Sequence, residues 1–166
     1  MKTFRSLAAT ILWVGLCVFS AEATECQVDA KFSSEGSVVR TVTSAIQQTK
    51  TRLSLALYGF DNREMAEELI KLAKKNITVR LKVDANRSTG KKITVLIERL
   101  RAGGVQVQTV APDGRNHNKF AVIDGTKVVT GSYNWTVKSE NNWENILILD
   151  CPELAQSYER EWEKIR

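Results

Sequence analysis

Two polar pairs with the same spacing stand out in the C-terminal half of the sequence. His117 and Lys119 are two residues apart, and so are Ser132 and Asn134. On an extended strand each pair points to one side, so an imidazole and an ammonium would face the same pocket. A hairpin between the pairs would bring them together. A nucleophile beside a cation, with hydroxyl and amide donors nearby, suits attack on an anionic phosphoryl group.

Each of these residues also has an ordinary structural interpretation. His117 is the only histidine of the chain, and a lone histidine is most often a surface or core residue. Asp124 fits the Asp-Gly turn that it begins, and Glu144 next to a strand is usually just exposed. The functional prediction therefore depends on the joint spacing.

Alternating helical and strand patterns surround these residues. Apolar residues at helical spacing predict helices around residues 38–49, 62–73, 93–100 and 154–165. Strands are predicted at 53–58, 79–83, 105–110, 120–123, 127–130 and 145–149, with a hairpin turn at Asp124-Gly125-Thr126. Such alternation predicts a single α/β domain, a layered α/β/α sandwich, and the hairpin makes its β-sheet mixed.

The N-terminus has the pattern of a secretory signal peptide. Lys2 and Arg5 precede an apolar run over residues 7–19, and Ala21-Glu22-Ala23 is a small-x-small cleavage site. The run is shorter than the roughly 20 residues of a spanning helix. We therefore expect residues 1–23 to be removed, leaving a secreted or periplasmic domain over residues 24–166. An uncleaved membrane anchor is the alternative.

Removal of this segment leaves a mildly basic domain. The 24 basic and 19 acidic residues fall by two and one to 22 and 18, so the formal charge falls from +5 to +4. A basic domain suits polyanions such as nucleic acid or anionic lipid headgroups, although ordinary surface charge explains it equally well.

Of the three cysteines, Cys17 lies in the predicted signal peptide, so two remain, Cys26 and Cys151, near opposite ends of the predicted domain. In an exported protein this sparse, even count predicts one disulfide bond, and two free thiols are the alternative. Neither cysteine has a CxxC partner, and the sequence contains no HExxH pattern or acidic cluster. We therefore expect no metal and no other cofactor.

A resemblance to a known family follows from the polar pairs. The pattern His117-x-Lys119-xxxx-Asp124, followed by Gly131-Ser132-x-Asn134, resembles the HxKxxxxD…GSxN signature of the phospholipase D superfamily. The resemblance covers nearly the whole mature chain and extends to small single-domain bacterial nucleases of that family. Its Asn-Trp-Thr and Glu-Asn segments are also similar to the mitochondrial cardiolipin-hydrolase branch, without the CCCH zinc-finger element found in some members.

The resemblance implies a catalytic role for each residue of the signature. His117 would attack phosphorus and form a phosphohistidine, which water then hydrolyses. We expect Glu144 to orient the imidazole and Asp124 to support the hairpin. Lys119, as a further catalytic residue, would stabilise the charge on the phosphoryl oxygens together with the expected substrate-binding residues Ser132 and Asn134.

The single histidine has a consequence for assembly. The family uses a second histidine to protonate the leaving group, and this chain has none to spare. We therefore predict a homodimer whose two protomers share one active site. A lysine or water acting as the acid, or an inactive chain, are the alternatives.

Three hypotheses cover the substrate. The first is a non-specific endonuclease acting on DNA, and on RNA as well. Eight basic residues are its candidate phosphate contacts: Lys71, Lys74, Lys75, Lys91, Lys92, Arg99, Arg101 and Arg115. The second is a phospholipase, with an apolar surface beside the site supplied by Tyr133, Trp135 and Trp143. The third is a catalytically silent binding module with the same fold.

Overall fold

Seven strands form one mixed sheet with helices on both faces. The computed structural model describes residues 25–166, so the predicted signal peptide lies outside the described residues. The strands are β1 (Gln27–Phe32), β2 (Arg52–Leu57), β3 (Thr78–Asp84), β4 (Gln106–Val110), β5 (Lys119–Ile123), β6 (Lys127–Gly131) and β7 (Asn145–Asp150). The α-helices are α1 (Val38–Ile46), α2 (Arg63–Lys74), α3 (Lys91–Ala102) and α4 (Pro152–Lys164). Short 3₁₀ turns span Ala85–Arg87 and Lys138–Asn141.

The strand order is β1-β7-β6-β5-β2-β3-β4. Strands β2, β3 and β4 are parallel, because α2 and α3 carry the chain back between them. Strands β5, β6, β7 and β1 add on antiparallel, so β5 pairs with both β2 and β6. The sequence prediction of a mixed sheet in an α/β fold is confirmed.

Alternate residues of the central strands enter two separate cores. Leu55 of β2 and Ala121 of β5 pack with α1, α2 and α3, whereas Ala56 and Phe120 pack with α4. The strands are therefore buried on both faces, which explains their nearly continuous apolar sequence. Among residues 25–166, no helix is long and apolar enough to cross a membrane.

Hydrogen bonds from residues outside the hairpin hold the β5–β6 turn in place. Asp124 and Gly125 have φ values of 52° and 70°, as a type I′ turn requires, and Thr126 donates its N–H to the Ile123 carbonyl at 3.1 Å. The Asp124 carboxylate accepts backbone N–H bonds from three successive residues at 2.8–3.0 Å, namely Lys50, Thr51 and Arg52. Asp124 therefore joins the hairpin to the start of β2.

The predicted disulfide bond is present between Cys26 and Cys151, whose Cα atoms are 4.7 Å apart. It connects the residue before β1 to the residue that precedes α4. Strand β1 is an element that the sequence prediction missed. It is an edge strand whose residues are all exposed, so Val28, Ala30 and Phe32 alternate along it without entering a core.

A buried lysine fixes the end of α4 against β3. Lys82 donates from Nζ to the carbonyls of Trp162 and Ile165 at 2.8 Å each, so it satisfies carbonyls that lack helical partners. Burial lowers the pKa of Lys82, and the charge of Glu163 partly offsets this effect. The Trp162 indole N–H donates to the Leu55 carbonyl at 2.8 Å, which ties the same helix to β2.

Candidate active site

His117 and Lys119 meet where the chain enters β5. The spacing argument assumed that both residues lie within a strand. In the structure β5 begins at Lys119, so His117 precedes the strand. The backbone turns at this point because His117 donates its N–H to the Arg115 carbonyl at 2.9 Å. The two side chains nevertheless lie on one side.

The amino group of Lys119 contacts His117 at several atoms. Its Nζ lies 3.2 Å from Nδ1 and 3.5 Å from Nε2 of the ring, and it donates to the His117 carbonyl at 2.8 Å. Burial lowers the pKa of Lys119 below the ordinary lysine value, and the charge of Glu144 partly offsets the decrease. A cation is therefore held directly against the candidate nucleophile.

A buried polar network lies beneath His117. The Asp84 carboxylate, fully buried at the end of β3, accepts the N–H of Asn116 at 3.0 Å. The Asn116 amide donates to the carbonyls of Leu57 and Lys82 at 3.4 Å each, and its oxygen accepts from Asn118 at 2.9 Å. This network fixes the residues on both sides of His117. The sequence analysis missed this network. The one indication in the sequence was an aspartate, Asp84, directly after the predicted strand at 79–83.

Tyr58 packs against the imidazole. The two ring centroids are 4.5 Å apart with the planes tilted by 52°. The Tyr58 N–H donates to the Asn118 carbonyl at 2.7 Å, and its hydroxyl accepts from Arg115 at 3.0 Å. Arg87 lies over the same ring at 5.3 Å. The sequence analysis placed Tyr58 at the end of a predicted strand, and no local pattern predicted its contact with His117.

Ser132 and Glu144 form the opposite wall. The Ser132 hydroxyl donates to Glu144, and the N–H of Asn145 donates to the same hydroxyl at 3.1 Å. The second carboxylate oxygen of Glu144 accepts from Asn142 at 3.1 Å. Within one described chain, Glu144 bonds to Ser132 and Asn142 and makes no hydrogen bond to His117. Its expected orienting role thus stays a prediction, and its visible effects are on Ser132 and on the charge of Lys119.

These side chains line an open cleft of about 530 Å³. Its lining residues are His117, Asn118, Lys119, Phe120, Thr130, Gly131, Ser132, Asn134 and Tyr158. The structure therefore brings together four of the predicted site residues, whereas Asp124 lies at the far end of the hairpin. The amide oxygen of Asn134 is buried and has no hydrogen-bond partner among the described residues. Because an amide oxygen only accepts, any contact of Asn134 with a phosphoryl oxygen must come from its NH2 group.

Two of the aromatic residues expected near the cleft surface are in the core instead. Tyr133 and Trp135 are almost fully buried, and Trp135 pairs with Phe60 in an isolated bridge. They therefore provide no apolar surface for the phospholipase hypothesis, because both rings pack in the larger of the two cores. Trp143, one residue before Glu144, is 90% exposed.

The candidate phosphate contacts differ in whether they already form ion pairs with acidic residues. Three of them form ion pairs with glutamates: Lys71 with Glu68 at 2.6 Å, Arg99 with Glu67 at 2.6 Å and Arg101 with Glu98 at 3.5 Å. Arg115 lies beside Tyr58, close to the cleft. In the part of the chain that the structure describes, no group of three or more His, Cys, Asp or Glu side chains is arranged to hold a metal ion.

An imidazole, an ammonium, a hydroxyl and an amide around one open cleft are the groups that hydrolysis of a phosphodiester requires. The chain belongs to the phospholipase D superfamily, since a family model described as "Cardiolipin synthase, PLD-like domain" matches residues 42–166. The sequence prediction of this family is confirmed.

Similar proteins agree with this assignment. A mitochondrial cardiolipin hydrolase of Xenopus laevis is 37% identical over 116 residues, which cover 68% of this chain and 53% of the relative. A phospholipase D of Rickettsia conorii is 27% identical, over 86% of this chain and 70% of the relative. The chain thus spans about half the length of the cardiolipin hydrolases that it matches.

A solved structure shows the same fold over almost its full length. The phospholipase D family member Nuc from Salmonella typhimurium superimposes with a TM-score of 0.80 and 28% sequence identity. The match covers 86% of this chain and 97% of Nuc. The layered fold and the family are therefore established together.

Proposed function

We propose that the chain is a metal-independent endonuclease, a phosphodiesterase that hydrolyses DNA and RNA through a phosphohistidine on His117. The observation that carries the proposal is the contact between Lys119 Nζ and the His117 ring, 3.2 Å apart in an open cleft. A nucleophile and a cation in contact are what attack on an anionic phosphodiester requires.

The reaction has two displacements at phosphorus. In the first, a ring nitrogen of His117 gives its lone pair to phosphorus, the bond from phosphorus to the leaving oxygen breaks, and that oxygen takes a proton from an acid. In the second, the deprotonated acid removes a proton from water, the hydroxide attacks phosphorus, and the bond to His117 breaks. The His117 ring and the acid then regain their starting states.

The other cleft residues stabilise the charge on the phosphoryl oxygens. Lys119 supplies the positive charge and takes the place that a metal ion has in other nucleases. The Ser132 hydroxyl and the Asn134 side-chain amide line the cleft and are the neutral groups that can donate to those oxygens, the hydroxyl once it turns from Glu144 and the amide through its NH2 group. Asp124 acts at a distance, through the hairpin that carries Lys119.

The acid is the His117 of a second protomer. One chain supplies a single imidazole, and the cleft that contains it is open to solvent, so a homodimer can place two rings on one phosphate. Co-expressing differently tagged wild-type and His117→Ala chains and isolating the heterodimer tests this. A shared site predicts almost no activity in the heterodimer, whereas independent sites predict half of the wild-type activity.

Nucleic acid fits the surroundings of the cleft. Arg87 and Arg115 both contact Tyr58, so two guanidinium groups lie beside the imidazole and can bind neighbouring phosphates of a polymer. The cleft is open to solvent, so a polymer chain can pass across it. Binding that depends on these arginines should weaken as salt increases.

A phospholipase is the second candidate, for two reasons. Several relatives are cardiolipin hydrolases or phospholipases D by name. In addition, Trp143 is 90% exposed immediately before Glu144, where its ring can enter a lipid interface. The same His117 chemistry would then release a headgroup in place of a nucleotide end.

One experiment separates these functions. Wild type, His117→Ala and the remote control Lys164→Ala, at the exposed end of α4, are each incubated, with excess chelator, with plasmid DNA and with vesicles of phosphatidylcholine or cardiolipin. The proposal predicts plasmid cleavage by wild type and Lys164→Ala, none by His117→Ala, and an acid-labile phosphate on His117. Cleavage of lipid alone would establish the second candidate. Equal cleavage by wild type and His117→Ala would contradict both, and no cleavage by any variant would identify a silent binding module.

We also propose that the protein is exported from the cytoplasm. The disulfide between Cys26 and Cys151 supports an oxidising compartment, in line with the predicted signal peptide. N-terminal sequencing of the protein recovered outside the cytoplasm should begin at Thr24. A protein recovered with Met1 in the membrane fraction would establish the anchored alternative.

A further inference from the structure

A second cleft, of about 760 Å³, lies at the start of α3 and shares no lining residue with the His117 cleft. Its lining residues are Asp61, Arg63, Lys91, Lys92, Ile93, Val95, Leu96, Arg99 and Val137. The volume is in the range of sites that hold small molecules. Nothing in the proposed chemistry at His117 uses this cleft.

The cleft has an apolar wall that is open to water. Val95 on α3 and Val137 before the 3₁₀ turn at Lys138–Asn141 are 60% and 55% exposed, and Ile93 and Leu96 line the wall between them. Two of the most exposed large apolar side chains of residues 25–166 therefore border one concave surface. Exposed apolar groups gathered with a polar rim are typical of an interaction site.

The rim of this cleft is cationic. Arg99 is paired with Glu67, and the Asp61 carboxylate accepts the N–H of Val137 at 2.7 Å. Lys91 and Lys92 are exposed and form no ion pair within the described chain. The charge that remains available to a ligand is therefore positive.

We propose that this cleft binds an anionic phospholipid, with part of an acyl chain on the apolar wall and the headgroup on Lys91 and Lys92. A positive rim around an apolar surface is the combination that binds anionic membranes. Nucleic acid fits less well, because the lining contains no aromatic side chain on which a base can stack. The site would bring the enzyme to an anionic membrane surface, whichever phosphodiester His117 cleaves.

The test measures co-sedimentation of the full protein with vesicles, at low and at high salt. We expect wild type to bind vesicles that contain phosphatidylglycerol and not vesicles of pure phosphatidylcholine. The charge-reversed variant Lys91→Glu/Lys92→Glu should bind about tenfold more weakly or worse, since each lysine near an anionic surface contributes to attachment. Its matched control is Arg160→Glu/Lys164→Glu, at two exposed basic residues of α4, which should bind within about twofold of wild type.

A second pair of variants tests the apolar wall. Val95→Asn/Val137→Asn should lose most of the binding, whereas Val28→Asn, at an equally exposed valine on β1, should keep it. Circular dichroism and thermal melting establish that each variant is folded, and Lys91→Gln/Lys92→Gln replaces any charge-reversed variant that is not.

Three results would overturn the inference: wild type that does not bind phosphatidylglycerol, equal losses in the variants and their controls, or loss of plasmid binding with unchanged vesicle binding. The last result would make nucleic acid the occupant. His117→Ala should bind vesicles as wild type does, so a failure of the proposed function leaves this test intact.

Discussion

The Nζ atom of Lys119 lies 3.2 Å from Nδ1 of His117 and donates to the carbonyl oxygen of the same residue at 2.8 Å. Nε2 of the same ring is 3.5 Å away, so the amine lies close to both ring nitrogens and is not directed at one of them. A phosphodiester in the cleft offers this cation a stronger, negatively charged acceptor than a neutral imidazole. In the proposed reaction the amine therefore turns to the phosphoryl oxygens when substrate binds, and the ring keeps its lone pair for attack on phosphorus.

Replacing Glu144 by Gln should move the alkaline limit of activity to lower pH. Burial already lowers the pKa of Lys119, and the negative charge of Glu144 raises it in part. Without that charge the pKa falls further, so the ammonium loses its proton at a lower pH. The measurement is kcat/KM against pH for wild type and variant, with Glu64→Gln on exposed α2 as the control. If the alkaline limit of activity stays at the same pH in the variant, or moves to higher pH, Glu144 does not have this role.

Replacing Asp124 by Asn should destabilise the fold at neutral pH without removing a cleft residue. Burial raises the pKa of Asp124, but backbone N–H bonds from Arg52, Thr51 and Lys50 lower it more, so the pKa is below the ordinary value. The loss should be about 1.5–3 kcal/mol at pH 7, the usual range for hydrogen bonds to a charged group. The asparagine keeps the left-handed backbone at this position, since it tolerates positive φ.

The pH dependence of this loss has a definite sign. A carboxylate with a lowered pKa contributes stability above its ordinary pKa of about 4, and the contribution disappears as pH falls through the lowered value. The difference between wild type and Asp124→Asn in urea unfolding should therefore shrink when the measurement is repeated at about pH 2–3. A difference that is constant with pH would mean that the carboxylate charge contributes nothing.

The sheet could largely be predicted because its central strands are buried on both faces. Leu53, Leu55 and Leu57 form such a strand, and the Asp-Gly turn identifies the hairpin by its need for positive φ. Strand β1 has the alternating pattern of Val28, Ala30 and Phe32, but its residues are exposed at a sheet edge, and such strands have no burial signal.

The site could be predicted only where its residues are close in sequence. The spacing of His117 and Lys119 placed them in one cleft, although the strand begins only at the second residue. The bond from Asn116 to Asp84 joins residues 32 positions apart, and the packing of Tyr58 on His117 joins residues still further apart. Contacts of this kind depend on strand order, which no local pattern determines.

Replacing Gly131 by Ala should damage both the fold and the cleft. A Cβ at this position would collide with the carbonyl oxygen of Asn145, where β6 pairs with β7. A backbone shift that relieves such a clash typically costs about 1–3 kcal/mol. Because Ser132 follows directly and bonds to Asn145 and Glu144, the shift should also lower kcat. Urea unfolding and plasmid cleavage measure the two effects, and Gly36→Ala is the control, because Gly36 has nearly the same φ and no atom within 4 Å of an added Cβ. If Gly131→Ala is as stable as wild type, β6 and β7 can move apart at this position without a cost in stability.

Replacing Cys26 and Cys151 by Ser should lower stability much more than activity. The disulfide closes a loop of 125 residues, for which the chain-entropy model gives about 4–5 kcal/mol. Neither cysteine lines the His117 cleft, so the folded variant should cleave plasmid at nearly the wild-type rate. Urea unfolding of the double variant, and of wild type with and without reductant, measures the loss. Reduced wild type should match the variant. If oxidised wild type matched it too, strand β1 would be held by its pairing with β7 alone, and the covalent bond would not be needed for the fold.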